Sequence, residues 1–122
     1  MINRKHRFHG RNSLRFVYSR GEMVRGSLFS VKVALNQRRH SYRMAVVVSR
    51  KVHKSAVVRN RIRRRIYEIM RDQESHINDA YDIIFLVHSD QLALCEHDQL
   101  ESQVVEQLAK AGVLSDKKPA TN

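Results

Sequence analysis

The chain has 122 residues and a mass of 14.3 kDa, which leaves room for one modest core and not for two. Apolar residues make up 42% and charged residues 29%, excluding a disordered chain, while a net charge of +11 and a pI near 10.5 call for an acidic partner. The lone Cys95 excludes an internal disulfide, the basic residues after Met1 disfavour secretion, and the lack of a long apolar run rules out a bilayer span.

In chain order, a basic lead gives way to a short helix that Ser13 can cap, with Leu14, Val17 and Tyr18 at helical spacing and Gly21 as its stop. From Leu28 to Leu35 the period changes to two, with Phe29, Val31, Val33 and Leu35 on one side, which predicts a half-buried strand. The polar run Asn36 to Ser41 predicts a turn. The β-branched stretch Tyr42 to Ser49 then predicts a second strand, antiparallel to the first across so short a loop. Helical spacing covers Ala56 to about Arg71, capped by Ser55. The run Ala80 to Val87 has the composition of a central strand. A last helix is expected from Asp98 to Ala111. Asp98 and Glu101 form a capping box there, Leu100, Val104, Val105 and Leu108 a buried stripe, and Gly112 a stop. Helices separated by strands on one sheet give an α+β fold, a two-layer α/β sandwich, over residues 1–114, with 115–122 as a frayed tail.

Charge is distributed unevenly along this order. Residues 1–71 hold twenty Lys and Arg against Glu22 and Glu68, a balance of +18, and residues 72–122 hold three against ten acids, a balance of −7. Such a field steers polyanions to one part of the surface, and nucleic acid is the leading candidate. In the central helix, Val58, Ile62, Ile66 and Ile69 share one sector that must face the sheet. Asn60, Arg63, Arg64, Tyr67 and Arg71 share the opposite sector, which suits a phosphate backbone. Arg61 and Arg65 fall on a third sector with Glu68 and Asp72, where ion pairs along the helix are the cheaper explanation. Arg59 borders the apolar stripe, where its guanidinium can meet a phosphate or brace the fold. Asn60, a poor helix former, indicates a polar contact or a local backbone role within the cluster. Lys51 and Lys54, in the preceding loop, are plausible phosphate contacts. None of the seven histidines has a partner at catalytic spacing, and no residues stand at metal-ligand spacing, so neither a catalytic nor a metal site is expected in the protein.

The segment AVVRNRIRRRIYE, centred on Arg59-Asn60-Arg61, closely resembles the signature of the bacterial ribonuclease P protein subunit. The resemblance extends through VVVSRKV, DIIFLV and the closing helix. His53 and Lys54 before the helix and a third consecutive arginine, Arg65, are small departures that leave the role of Arg65 open. Membership implies an α-β-β-β-α-β-α order similar to the second domain of ribosomal protein S5, with a left-handed βαβ crossover and one more short strand near Arg25 to Lys32 or around Gln37. It implies a cytoplasmic protein, monomeric outside its holoenzyme, that joins a catalytic RNA to form an endonuclease removing the 5′ leader from precursor transfer RNA. The protein is then non-catalytic by itself, and Mg2+ is held mainly by the RNA. The resemblance places the RNA-facing surface on Arg59, Asn60, Arg61, Arg63 and Arg64. It places a leader cleft at Leu14, Phe16, Tyr18, Phe29, Val31 and Val33, where unpaired bases stack on apolar and aromatic side chains, while Leu14, Val17, Phe29 and Val31 suit ordinary core positions equally well. Composition alone fits equally well a ribosomal or free-standing RNA-binding protein without nuclease association.

Overall fold

A computed structural model describes residue 17, residues 21–36 and residues 41–114. The expected first helix around Leu14, Phe16 and Tyr18, the turn at 37–40 and the tail at 115–122 lie outside the described residues, apart from Val17, which is helical. The chain is a mixed α+β fold. It runs through β1 (Glu22–Val24), β2 (Phe29–Leu35), β3 (Arg43–Val47), α1 (Ala56–Gln73), β4 (Tyr81–Val87) and α2 (His97–Lys110), with short 3-10 turns at Glu74–His76 and Asp90–Ala93. The extra short strand precedes the two places expected for it. Gly21 makes it possible: a Cβ there would stand 2.5 Å from the Val17 carbonyl oxygen and 3.0 Å from that of Val33, so only glycine lets the chain pass this close to β2.

The four strands form one sheet in the order β1-β2-β4-β3. β2 is antiparallel to both β1 and β4, and β3 is parallel to β4. The strands at Phe29–Leu35 and Arg43–Val47 run antiparallel as expected, but their expected direct pairing is corrected: β4 lies between them. The physical reason is burial. The run Tyr81–Val87 is apolar at nearly every position, so it gains most from neighbours on both edges, and α1 supplies the crossover that a parallel β3–β4 pair requires.

Both helices cover one face of the sheet. Phe29, Val31, Val33, Met44, Val46, Ile83, Phe85 and Val87 meet Ile62, Ile66, Ile69 and Met70 of α1 and Leu100, Val104 and Leu108 of α2 in a single core. The Phe29 and Phe85 rings sit 5.9 Å apart at a 43° tilt. On the opposite face, Val17, Ala34 and Ile84 form a smaller cluster bordered by Ala45, Val47 and Leu86.

Helix ends follow their expected chemistry unevenly. Ser55 caps α1, its Oγ accepting from the Val58 N–H at 3.4 Å, and the Ser55 N–H in turn donates to His53 Nδ1 at 3.0 Å. The capping box at Asp98 and Glu101 does not form, because α2 starts earlier, behind Glu96. At its other end Gly112 adopts φ +79°, and bonds from Gly112 N–H to Ala109 and from Val113 N–H to Leu108 complete a Schellman motif that buries Val113.

Polar anchors fix the sheet ends. Asp82 of β4 is fully buried, and its carboxylate accepts from Arg43 Nε at 2.9 Å, Arg43 Nη2 at 2.8 Å and Asn36 Nδ2 at 2.9 Å. The Tyr42 hydroxyl donates to Glu74 Oε1 at 2.8 Å. Burial, then that bond and the charge of Glu74, push the Tyr42 hydroxyl well above its ordinary range, so it remains a neutral donor. Replacing Asp82 by alanine strands the Arg43 guanidinium, itself 14% exposed, without its carboxylate. Asp82→Ala is expected to lower unfolding stability by about 3 kcal/mol, read as a shift of the urea midpoint; an unshifted midpoint would show that the fork contributes nothing.

Candidate nucleic-acid interface

Why α1 presents cations to solvent follows from what it buries. Ile62, Ile66, Ile69 and Met70 are all 0% exposed. Met70 takes the place that the sequence pattern assigned to Val58, which is half-buried, and this rotates the buried axis by roughly 30° at about 100° per residue. The outward row is consequently Val57, Arg61, Arg64, Glu68 and Arg71, with Asn60 beside it, all exposed. Arg61 thus joins Arg64 and Arg71 instead of sharing a sector with Arg65. No ion pair among the described residues ties up Arg61, Arg64 or Arg71, so the pairing of Arg61 with Glu68 or Asp72 does not form.

Arg65 is the clearest correction within the cluster. Its guanidinium turns back to the fold, donating from Nη1 to the Leu92 carbonyl at 2.7 Å and from Nη2 to the Cys95 carbonyl at 2.6 Å. Carbonyls left free at the end of the Asp90–Ala93 turn take the donors that Glu68 or Asp72 were expected to take. Arg63 is partly committed. Its Nη1 donates to Asn60 Oδ1 at 2.8 Å, and its Nη2 stands 3.5 Å from the Val48 carbonyl, so Asn60 serves as the polar contact expected of it. Arg59 sits half-buried at the seam between helix and sheet, with its Nε enclosed and without a partner. Tyr67 is half-buried and packs against the core, which leaves it a smaller share of the outer surface than its neighbours.

The turn before α1 extends the cationic surface. Lys51 and Lys54 are exposed, and so is Arg50, which the sequence reading passed over although it belongs to the same charge run. The first turn of α1 carries no acidic residue, so nothing offsets the positive end of its backbone dipole. The surface thus presents Arg50, Lys51, Lys54, Asn60, Arg61, Arg64 and Arg71 as exposed donors, with Arg63 held between them.

The leader cleft requires revision. Phe29 and Val31 are 0% exposed and point into the core beneath both helices, whereas Val17 packs on the other side of the sheet. Phe29 and Val31 therefore lie on the face of the sheet opposite Val17, enclosed by the helices. The side chains on Val17's face are Ser30, Lys32 and Ala34 of β2, Ala45 and Val47 of β3, and Ile84 and Leu86 of β4, by the alternation of each strand. Ser30 Oγ lies 2.7 Å from Nε2 of the exposed His88. Leu14, Phe16 and Tyr18 lie outside the described residues.

Among the described residues, no group of three or more His, Cys, Asp or Glu is placed to hold a metal ion, and no helix is long and apolar enough to cross a membrane.

Known proteins share both the sequence and this geometry. The profile of the Ribonuclease P family matches residues 2–112. A ribonuclease P protein component from Pseudanabaena sp. is 32% identical over 114 residues, 93% of this chain and 97% of that one. Another from Roseiflexus castenholzii is 37% identical over 87 residues, 71% of this chain and 70% of its own. The RNase P protein of Staphylococcus aureus superimposes with a TM-score of 0.80 at 27% identity, covering 90% of this chain and 98% of that one. The RNase P protein of Thermotoga maritima shares the fold with a TM-score of 0.76 at 21% identity, over 85% of this chain and 96% of its own. A profile match over residues 2–112, reinforced by a relative 32% identical over 93% of this chain, makes this chain a member of the ribonuclease P protein family.

Proposed function

We propose that the chain is the protein subunit of a transfer-RNA processing ribonucleoprotein, docking on its catalytic RNA through the outward row of α1 and the turn before it. The observation that carries this reading is the row Arg61, Arg64 and Arg71, exposed and unpaired among the described residues on a helix whose inner side is locked in the core. Planar guanidiniums at helical spacing offer forked donors to successive phosphates, and the surrounding field draws the RNA in. Cleavage chemistry belongs to the RNA in this assignment. Apart from Glu68, the exposed polar side chains of this helix row and the turn before it are ammonium, guanidinium and amide groups, and a lone carboxylate among cations is a poor site for Mg2+, which favours clustered carboxylate and phosphate oxygens. Magnesium therefore fits the RNA and not this surface, and no step is assigned to it here.

The 5′ leader of precursor transfer RNA is assigned to the sheet face opposite the two helices. Half-buried Ala45, Val47 and Leu86 provide apolar ground there. Contacts of that kind tolerate any sequence, as a subunit serving many precursors requires.

Reconstitution with the cognate RNA at low magnesium tests the whole reading: the pair should process precursor transfer RNA, and rigorously RNA-free protein should cut none. Arg64→Ala should lower the log–log salt slope of RNA binding by about one unit, the loss of one phosphate contact. Arg65→Ala should instead leave that slope unchanged and lower the melting temperature, since it removes two internal bonds. Equal slopes for both variants would move Arg64 off the interface.

A further inference from the structure

Beside the first turns of α1 lies a groove of about 460 Å³. Val58, Ala93 and Leu94 line it with aliphatic surface, and His53, Arg61, Asp90 and Gln91 bring polar groups to its rim. Its volume falls within the range of roughly 300–1,000 Å³ usual for small-ligand sites. The far wall is rigid, because Arg65 staples the Leu92 and Cys95 carbonyls to α1. Leu94 is 81% exposed and Val57 is 75% exposed, two large apolar side chains on an otherwise charged surface. Such exposure in a stapled turn is stable only at a small cost in water, and a flat apolar ligand removes that cost.

Charge selects the ligand. Arg61 belongs both to the outward arginine row and to this rim, so an RNA backbone following the row reaches the groove without a break. We infer that the groove receives one unpaired nucleotide of the catalytic RNA, its base lying against Leu94 and Val58 and its phosphate meeting Arg61. This inference rests on the docking of RNA along α1. Asp90 would repel a phosphate but accepts from an exocyclic amino group, so the rim favours adenine, cytosine or guanine over uracil.

Cys95 supplies the test, because it is half-buried in the groove wall and is the only cysteine in the chain. Iodoacetamide labelling of the wild-type protein then reports on the groove alone. Saturation with cognate ribonuclease P RNA should slow that labelling severalfold. Leu94→Ala, which removes an exposed side chain, should keep the wild-type melting curve. It should weaken RNA binding about five- to tenfold with an unchanged salt slope, since no phosphate contact is lost. Labelling at the same rate in the complex, or unaltered affinity of Leu94→Ala, would overturn the assignment while leaving a normal salt slope intact for the arginine row. A change in the sedimentation of the free protein on Leu94→Ala, with RNA affinity retained, would give the groove to a second copy of the chain and equally overturn it. Failure of the wild-type protein to bind the RNA at all would remove the docking reading and the groove with it.

Discussion

Burial of four side chains, Ile62, Ile66, Ile69 and Met70, against the sheet is the constraint on which the rest of this molecule depends. The same helix carries like-charged neighbours at Arg59/Arg63, Arg61/Arg64 and Arg61/Arg65, whose repulsion amounts to about 1 kcal/mol together. Each buried aliphatic side chain returns about 1.5–3 kcal/mol, so packing outweighs repulsion severalfold. A helix that would be marginal in isolation is thereby held with its cations facing water. The orientation of the charge is a product of the core.

Internal acceptors then sort the arginines into those that build the protein and those left for a partner. Asp82 takes the fork of Arg43, the Leu92 and Cys95 carbonyls take that of Arg65, and Asn60 steadies Arg63. Arg61, Arg64 and Arg71 receive nothing of the kind among the described residues. Three consecutive arginines, 63 to 65, consequently have three different commitments. Residue type alone does not distinguish them, but the position of each relative to the nearest free carbonyl or amide does.

Much of this was legible in the sequence, in a way that follows the range of the interactions. Helical spacing in the Ser55-capped segment located α1, and Gly112 marked the end of α2, because both are decided by neighbours within a turn. Strand order was not legible: β4 enters between β2 and β3 for burial that no local pattern records. Phe29 and Val31 were assigned to the cleft for a related reason. Nearly every residue from Phe29 to Ala34 is buried, so alternation identified two faces of β2 without saying which one the helices cover. Met70 was passed over because the stripe was drawn from Val58, whose half-exposure depends on the groove beside it. Asp82, one polar residue in an apolar run, gave no hint of its two partners 39 and 46 positions away.

The insertion of β4 also bears on how the chain comes to be folded. Neither β2 nor β3 can close a hairpin with the other, so through the first eighty residues of synthesis the strongly basic half has no central strand to pair with. Beyond the local β1–β2 pair, assembly of the sheet waits until Tyr81–Val87 has been made, and then proceeds through contacts of long sequence separation, the slow kind. A nascent polycation in the meantime lies among polyanions. The chain must complete its architecture in the presence of the class of molecule its finished surface is shaped to meet.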